Sequence, residues 1–118
     1  MPDQPRSPGA GATGPLVSHF ADDPEMVELI QEFVRDLNLR VRSLETDWRS
    51  RSFEEIRRTA HQLKGASGGY GFSELGEVAG RLETALVHLR ANGDEQGLES
   101  VRAGVEELIS MCKRVRVR

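Results

Sequence analysis

The sequence predicts an all-α fold, an antiparallel up-down-up-down four-helix bundle, and three observations predict it. All five prolines (Pro2, Pro5, Pro8, Pro15, Pro24) fall in the first 24 residues, and a proline-free stretch of this length permits long helices. Beyond Pro24 the apolar residues recur at spacings of three and four, which is the helical period. Four such stretches are joined by short polar or glycine-containing connections, and short connections make neighbouring helices antiparallel. The apolar stripes are wide enough to be core rather than the seam of a long coiled coil.

Residues 1–17 read as a flexible tail or linker, with four prolines, Gly9, Gly11, Gly14 and few apolar side chains. The folded domain is expected over residues 18–118. The first apolar segment, Leu16 to Phe20, predicts a short lead-in helix that packs on the domain. The first long helix opens at Asp23-Pro24-Glu25. Asp accepts from the free N–H groups of a helix start, Pro suits the first helical position, and Glu suits the positive end of the dipole. Met26, Ile30, Phe33, Leu37, Val41, Leu44 and Trp48 then mark one face.

A second helix is expected from Ser52, which with Glu55 three residues on makes a capping-box signature. Phe53, Ile56, Ala60, Leu63 and Ser67 mark its buried face, and Gly68-Gly69-Tyr70-Gly71 supplies a turn. The third runs from about Ser73 to Ala91 with the seam Phe72, Leu75, Ala79, Leu82, Leu86, Leu89, and Asn92-Gly93 stops it. Asp94 caps the fourth, whose face is Leu98, Val101, Val105, Leu108 and Cys112. The closing run Lys113 to Arg118 places positive charge at a helix C-terminus and is expected to fray.

Composition narrows the function. A chain of 118 residues is one domain's worth. Sixteen basic against nineteen acidic residues give a net charge of −3, which argues against a nucleic-acid binder held by a basic surface. The single cysteine, Cys112, excludes an internal disulfide and a cysteine-based zinc cluster. No run approaches the length of a membrane-spanning helix, and no secretory apolar segment opens the chain. The expected setting is cytoplasmic, with no metal bound by the domain, no nucleic acid and no membrane.

On a helical wheel of the second helix, His61 points away from the core. With His61 at zero, Gly68 falls at about −20°, Arg57 at −40°, Gly65 at +40°, Arg58 at +60° and Lys64 at −60°. Gln62, at about +100°, lies at the edge of the exposed face. A neutral imidazole is a good nucleophile, and cations beside it stabilise a phosphoryl group once attached. Gly65 removes the side chain next to the imidazole at a cost of about 1 kcal/mol relative to Ala, which the close approach of another protein would explain. The wheel alone leaves a solvated surface histidine as the simpler reading. His19 and His88 share no metal-ligand spacing with His61.

The run Ala60-His61-Gln62-Leu63-Lys64-Gly65, followed by Gly71-Phe72 and later by Leu82-Glu83, resembles the histidine-containing phosphotransfer (HPt) domain of bacterial two-component phosphorelays. The family pattern of His, Leu, Lys, Gly and a later Gly stands here as His61, Leu63, Lys64, Gly65 and Gly71. Gly68-Gly69 departs from it by making the end of the second helix glycine-rich. The resemblance implies that His61 accepts a phosphoryl group at Nε2 from a receiver-domain aspartyl phosphate and passes it to another receiver aspartate. It implies Lys64 and Gln62 as phosphate-stabilising residues. Gly65, Gly68, Arg57 and Arg58 would serve partner access and docking, and Gly71 the turn. The domain would bind no cofactor, and the Mg²⁺ would come from the partner receiver. The partners implied are response-regulator receiver domains and a hybrid histidine kinase, with the chain itself a monomer. Two other readings stay open: the phosphoacceptor domain of a chemotaxis-type histidine kinase, phosphorylated in trans by an ATP-binding domain, and a non-phosphorylated helical adaptor.

Overall fold

A computed structural model describes residues 14–117; most of the expected N-terminal tail, residues 1–13, lies outside the described residues. The elements are β1 (Leu16–Val17), α1 (Pro24–Arg49), α2 (Phe53–Ser67), a 3₁₀ turn (Gly68–Tyr70), α3 (Ser73–Asn92), α4 (Glu95–Arg114) and β2 (Val115–Arg116). The four helices pack in a closed ring, α1 on α2, α2 on α3, α3 on α4 and α4 on α1. Contacts climb one helix as they descend the next. Trp48 meets Phe53 while Phe33 stacks on Tyr70, centroids 4.7 Å apart. His61 meets Glu83 while Ser67 meets Gly76. Leu82 meets Gly104 while Leu89 meets Gly97. Among the described residues no helix is long and apolar enough to cross a membrane.

The core is built from the stripes that the sequence spacing marks. Ile30, Phe33, Leu37, Val41 and Leu44 of α1 are buried against Ile56, Ala60 and Leu63 of α2 and against the inner faces of α3 and α4. Each large aliphatic side chain so buried stabilises the fold by roughly 1.5–3 kcal/mol before entropy is charged against it. Cys112 belongs to this core, and burial pushes its thiol up to about 12 against an opposing pull from Arg40, so it is a packed thiol and not a thiolate at neutral pH. Asp23 caps α1 by accepting from the Glu25 N–H, and Asp94 caps α4 by accepting from the Gly97 N–H at 2.7 Å.

Three local expectations are corrected. The capping box at Ser52 does not form, because the Ser52 hydroxyl lies 2.8 Å from that of Ser50 and the Glu55 carboxylate is taken by Arg58. The lead-in is not a helix: Leu16–Val17 is extended and residues 19–22 form turns. The polar groups of this segment are used up by the α2–α3 connection rather than by a helical ladder. Ser18 donates its hydroxyl to the Tyr70 carbonyl, and His19 donates its N–H to the Gly71 carbonyl. The C-terminus does not fray at Lys113, since α4 continues to Arg114 and Val115–Arg116 then pairs in parallel with Leu16–Val17. Val115 is buried, and Arg114 donates from Nε to the Gly14 carbonyl. Leu16 and Val17 thus belong to the packed structure, although the sequence pattern groups them with the tail.

Gly71 is where these segments converge. Its φ of 88° is left-handed, and a Cβ there would lie 2.2 Å from Ser18 Oγ and 2.8 Å from the His19 nitrogen. Left-handed backbone costs a non-glycine residue about 1–2 kcal/mol, and the clash displaces the Ser18–Phe20 segment as well. Gly71→Ala is therefore expected to lower stability by about 2 kcal/mol or more, measured as a fall in the urea midpoint at constant m-value.

Candidate functional site

The candidate site is built on the outer face of the α2–α3 hairpin. Because α2 and α3 run antiparallel from the Gly68–Phe72 connection, residues at similar distance from that connection face one another. Gly76 sets how closely they approach: a Cβ there would be 3.4 Å from the Lys64 carbonyl oxygen and 3.6 Å from the Ser67 Cβ. One turn on, Gly80 leaves a flat bed for Lys64, whose Cγ, Cδ and Cε lie 3.5–3.8 Å from where a Gly80 Cβ would be. The next residue on this face, Glu83, is the hub of the site.

The His61 side chain is 65% exposed, and its Nδ1 lies 2.8 Å from Oε2 of Glu83, a side chain only 15% exposed. Lys64 Nζ reaches the other carboxylate oxygen at 3.4 Å, and Arg57 Nη1 lies 3.8 Å from Oε2. Burial pushes the Glu83 carboxyl up, but the hydrogen bonds from His61 and Lys64 and the Lys64 charge outweigh it and hold the group below the usual carboxylate range. An ionised carboxylate can only accept. A neutral His61 must therefore carry its proton on Nδ1 and donate it to Glu83, which leaves the Nε2 lone pair directed away from the bundle. The nearby grooves do not include His61. One runs along α3 and α4 from Lys64 to Ser100, and the other sits at the helix ends among Arg51, Phe53, Leu89 and Leu98.

The other residues singled out from sequence divide into three groups. Lys64 stands beside His61 and shares its carboxylate. Gly65 and Gly68 are exposed, and a Cβ at either would meet nothing within 4 Å, so neither serves packing within the chain. Arg57 and Arg58, which the wheel places beside His61, are both charge-paired within α2. Arg57 is forked onto Glu54, with Nη2 at 2.6 Å, and Arg58 pairs with Glu55 at 3.2 Å. Gln62 points to α1, where its amide oxygen accepts from Arg40.

Two residues of the site escaped the sequence reading. Glu83 was visible only as part of a family resemblance without a role, because the sequence of one helix does not show which residue of the next lies against it. Arg40 lies on α1, and nothing in the spacing of one helix shows what its neighbour presents.

Two outcomes follow from this geometry. Gly65→Ala fills open space in a helix interior and is expected to raise stability by about 0.5–1 kcal/mol, read from the urea midpoint. Glu83 has a folded-state pKa below its ordinary 4.5, so the stability it contributes is complete above that value and is lost as pH falls through the lowered pKa. The stability gap between wild type and Glu83→Gln is thus expected to shrink as pH falls below the ordinary carboxylate range, measured by urea titration across acid pH.

The family model for the Hpt domain matches residues 28–117. No curated protein and no solved structure matches the chain. The match covers α2, α3 and α4 whole, with the His61–Glu83 pair at the centre of α2 and α3, and most of α1. The chain therefore belongs to the Hpt domain family, whose activity is histidine phosphotransfer in two-component phosphorelays and whose members interact with receiver domains.

Proposed function

We propose that His61 is the phosphoacceptor, taking a phosphoryl group from a receiver-domain aspartyl phosphate and passing it to the aspartate of another receiver. The observation that carries this reading is the Nδ1 hydrogen bond to Glu83, which fixes the one tautomer whose Nε2 lone pair faces solvent. Nε2 attacks the phosphorus, the P–O bond to the aspartate breaks, and the aspartate leaves as a carboxylate. The ring now carries phosphorus on Nε2 and its original proton on Nδ1, so it holds a positive charge. Glu83 sits against that proton and stabilises the charge as it develops. Transfer onward is the same step in reverse on a second receiver.

Lys64 lies close enough to the imidazole to turn its ammonium from Glu83 to the phosphoryl oxygens. Gln62 is the neutral partner on the α1 side, and Gly65 and Gly68 leave room for the incoming domain. In this reading the Mg²⁺ belongs to the receiver, and the chain works as a monomer in the cytoplasm, fed by receivers or by a hybrid histidine kinase. His61 lies on an open helix face and not in a cleft, which supports a partner supplying the enclosure that phosphoryl transfer needs.

The test is incubation of the chain with a phosphorylated receiver and Mg²⁺ in the absence of ATP. Label that is acid-labile and base-stable is expected on wild type and absent from His61→Gln. Label surviving in that variant removes the assignment. Label obtained only from an ATP-loaded kinase domain indicates a chemotaxis-type phosphoacceptor, and no label from either indicates an adaptor. Glu83→Gln is expected to slow transfer by about 10- to 100-fold, by analogy with the loss of the carboxylate partner of a metal-ligating imidazole, while its circular dichroism stays native. Gly65→Leu is expected to fold and to transfer slowly.

A further inference from the structure

The cations around His61 are not equivalent. Lys64 and Arg57 share Glu83, Arg57 is also forked onto Glu54, and Arg58 is paired with Glu55. Farther out, Arg81 pairs with Glu107, and Arg90 lies 4.0 Å from Glu54. Each of these positive charges faces a carboxylate, so together they leave little net charge a few ångströms from the surface.

Arg40 differs. It projects from α1 to the residue next to His61, where its Nη1 donates to the Gln62 amide oxygen. Among the described residues no carboxylate lies within 4 Å of it. Asp36 is one turn earlier on α1, at a spacing that often forms an ion pair, yet the guanidinium is directed to Gln62 instead. An amide positions a guanidinium without cancelling its charge. Arg40 is also half-buried, so part of its side chain is held against the bundle and less freedom is lost when it engages a partner.

We infer that Arg40 is the docking cation of this site, and that it reads the carboxylate-rich rim around the phosphoacceptor aspartate of a receiver. This rests on the phosphotransfer reading above. The partner chemistry follows from what such a domain must hold. A phosphorylated aspartate and a Mg²⁺ ion together require several carboxylates, because Mg²⁺ is ligated by oxygen. An uncompensated positive charge on one flank of His61 steers that acidic rim and fixes its orientation, whereas paired charges do so weakly. Gln62 becomes a positioning residue for Arg40.

The experiment measures transfer from a phosphorylated receiver to the chain, against receiver concentration, at low and at about physiological ionic strength. Arg40→Ala is expected to raise the half-saturating receiver concentration by about 5- to 10-fold at low salt and to flatten its salt dependence, with the maximal rate unchanged. Arg40→Lys keeps the charge and is expected to restore most of the salt dependence, which a purely structural role would not predict. Labelling of His61 by phosphoramidate, a small donor that needs no docking surface, is expected to be the same in all three proteins. Unchanged half-saturation and salt slope in Arg40→Ala overturn this inference alone. A faster loss of label from phosphorylated Arg40→Ala without receiver would assign the guanidinium to the phosphoryl group and overturn docking. Absence of transfer from any receiver to wild type overturns the phosphotransfer reading and this inference with it.

Discussion

The close packing of α2 on α3 is the constraint on which the site depends. Gly76 and Gly80 leave no side chain between the two helices where they cross, so Ser67 and the stem of Lys64 lie directly against α3. That spacing carries Glu83 to within 2.8 Å of the His61 ring. An alanine Cβ at either glycine would meet its neighbours at ordinary contact distance, but a longer side chain would wedge the helices apart and lengthen the hydrogen bond between them. The histidine would remain exposed, but neither its tautomer nor its orientation would be held.

The second theme is charge placed by pairing rather than by composition. The chain is mildly acidic overall, and the wheel of α2 suggests a local surplus of positive charge around His61. The structure largely removes that surplus, because Glu54, Glu55 and Glu83 each meet a cation. Exposed pairs of this kind add little to stability, so their larger effect is on the field that an approaching partner meets. The imidazole has a carboxylate on one flank and a guanidinium bound only to an amide on the other. This asymmetry gives the helix face a direction.

The α2–α3 connection joins the site to the ends of the chain. Gly71 accepts the Ser18–Phe20 segment against its backbone, and β1 in turn pairs with β2 beyond α4. Residues far apart in sequence therefore brace the turn from which the α2–α3 hairpin, and hence the His61–Glu83 register, is counted. These contacts were not legible beforehand. Two-residue strands carry too few residues for a period to show, and Ser18 reads as a linker serine until Tyr70 is beside it.

The sequence by itself determined the four helices, the buried stripes and the outward direction of His61, because each is set by the period of one helix and by residues a few positions apart. The caps at Asp23 and Asp94 were equally local, and the one at Ser52 failed because a neighbouring hydroxyl and Arg58 competed for its groups. Only the tertiary structure decided which ring nitrogen faces solvent, which cations keep their charge, and how the chain ends join. Each of those depends on a group supplied by another element: Glu83 from α3, Arg40 from α1, Val115 from the end of α4. Helical periodicity gives the angle of a side chain on its own axis, and it holds no information about the neighbouring helix that the side chain meets.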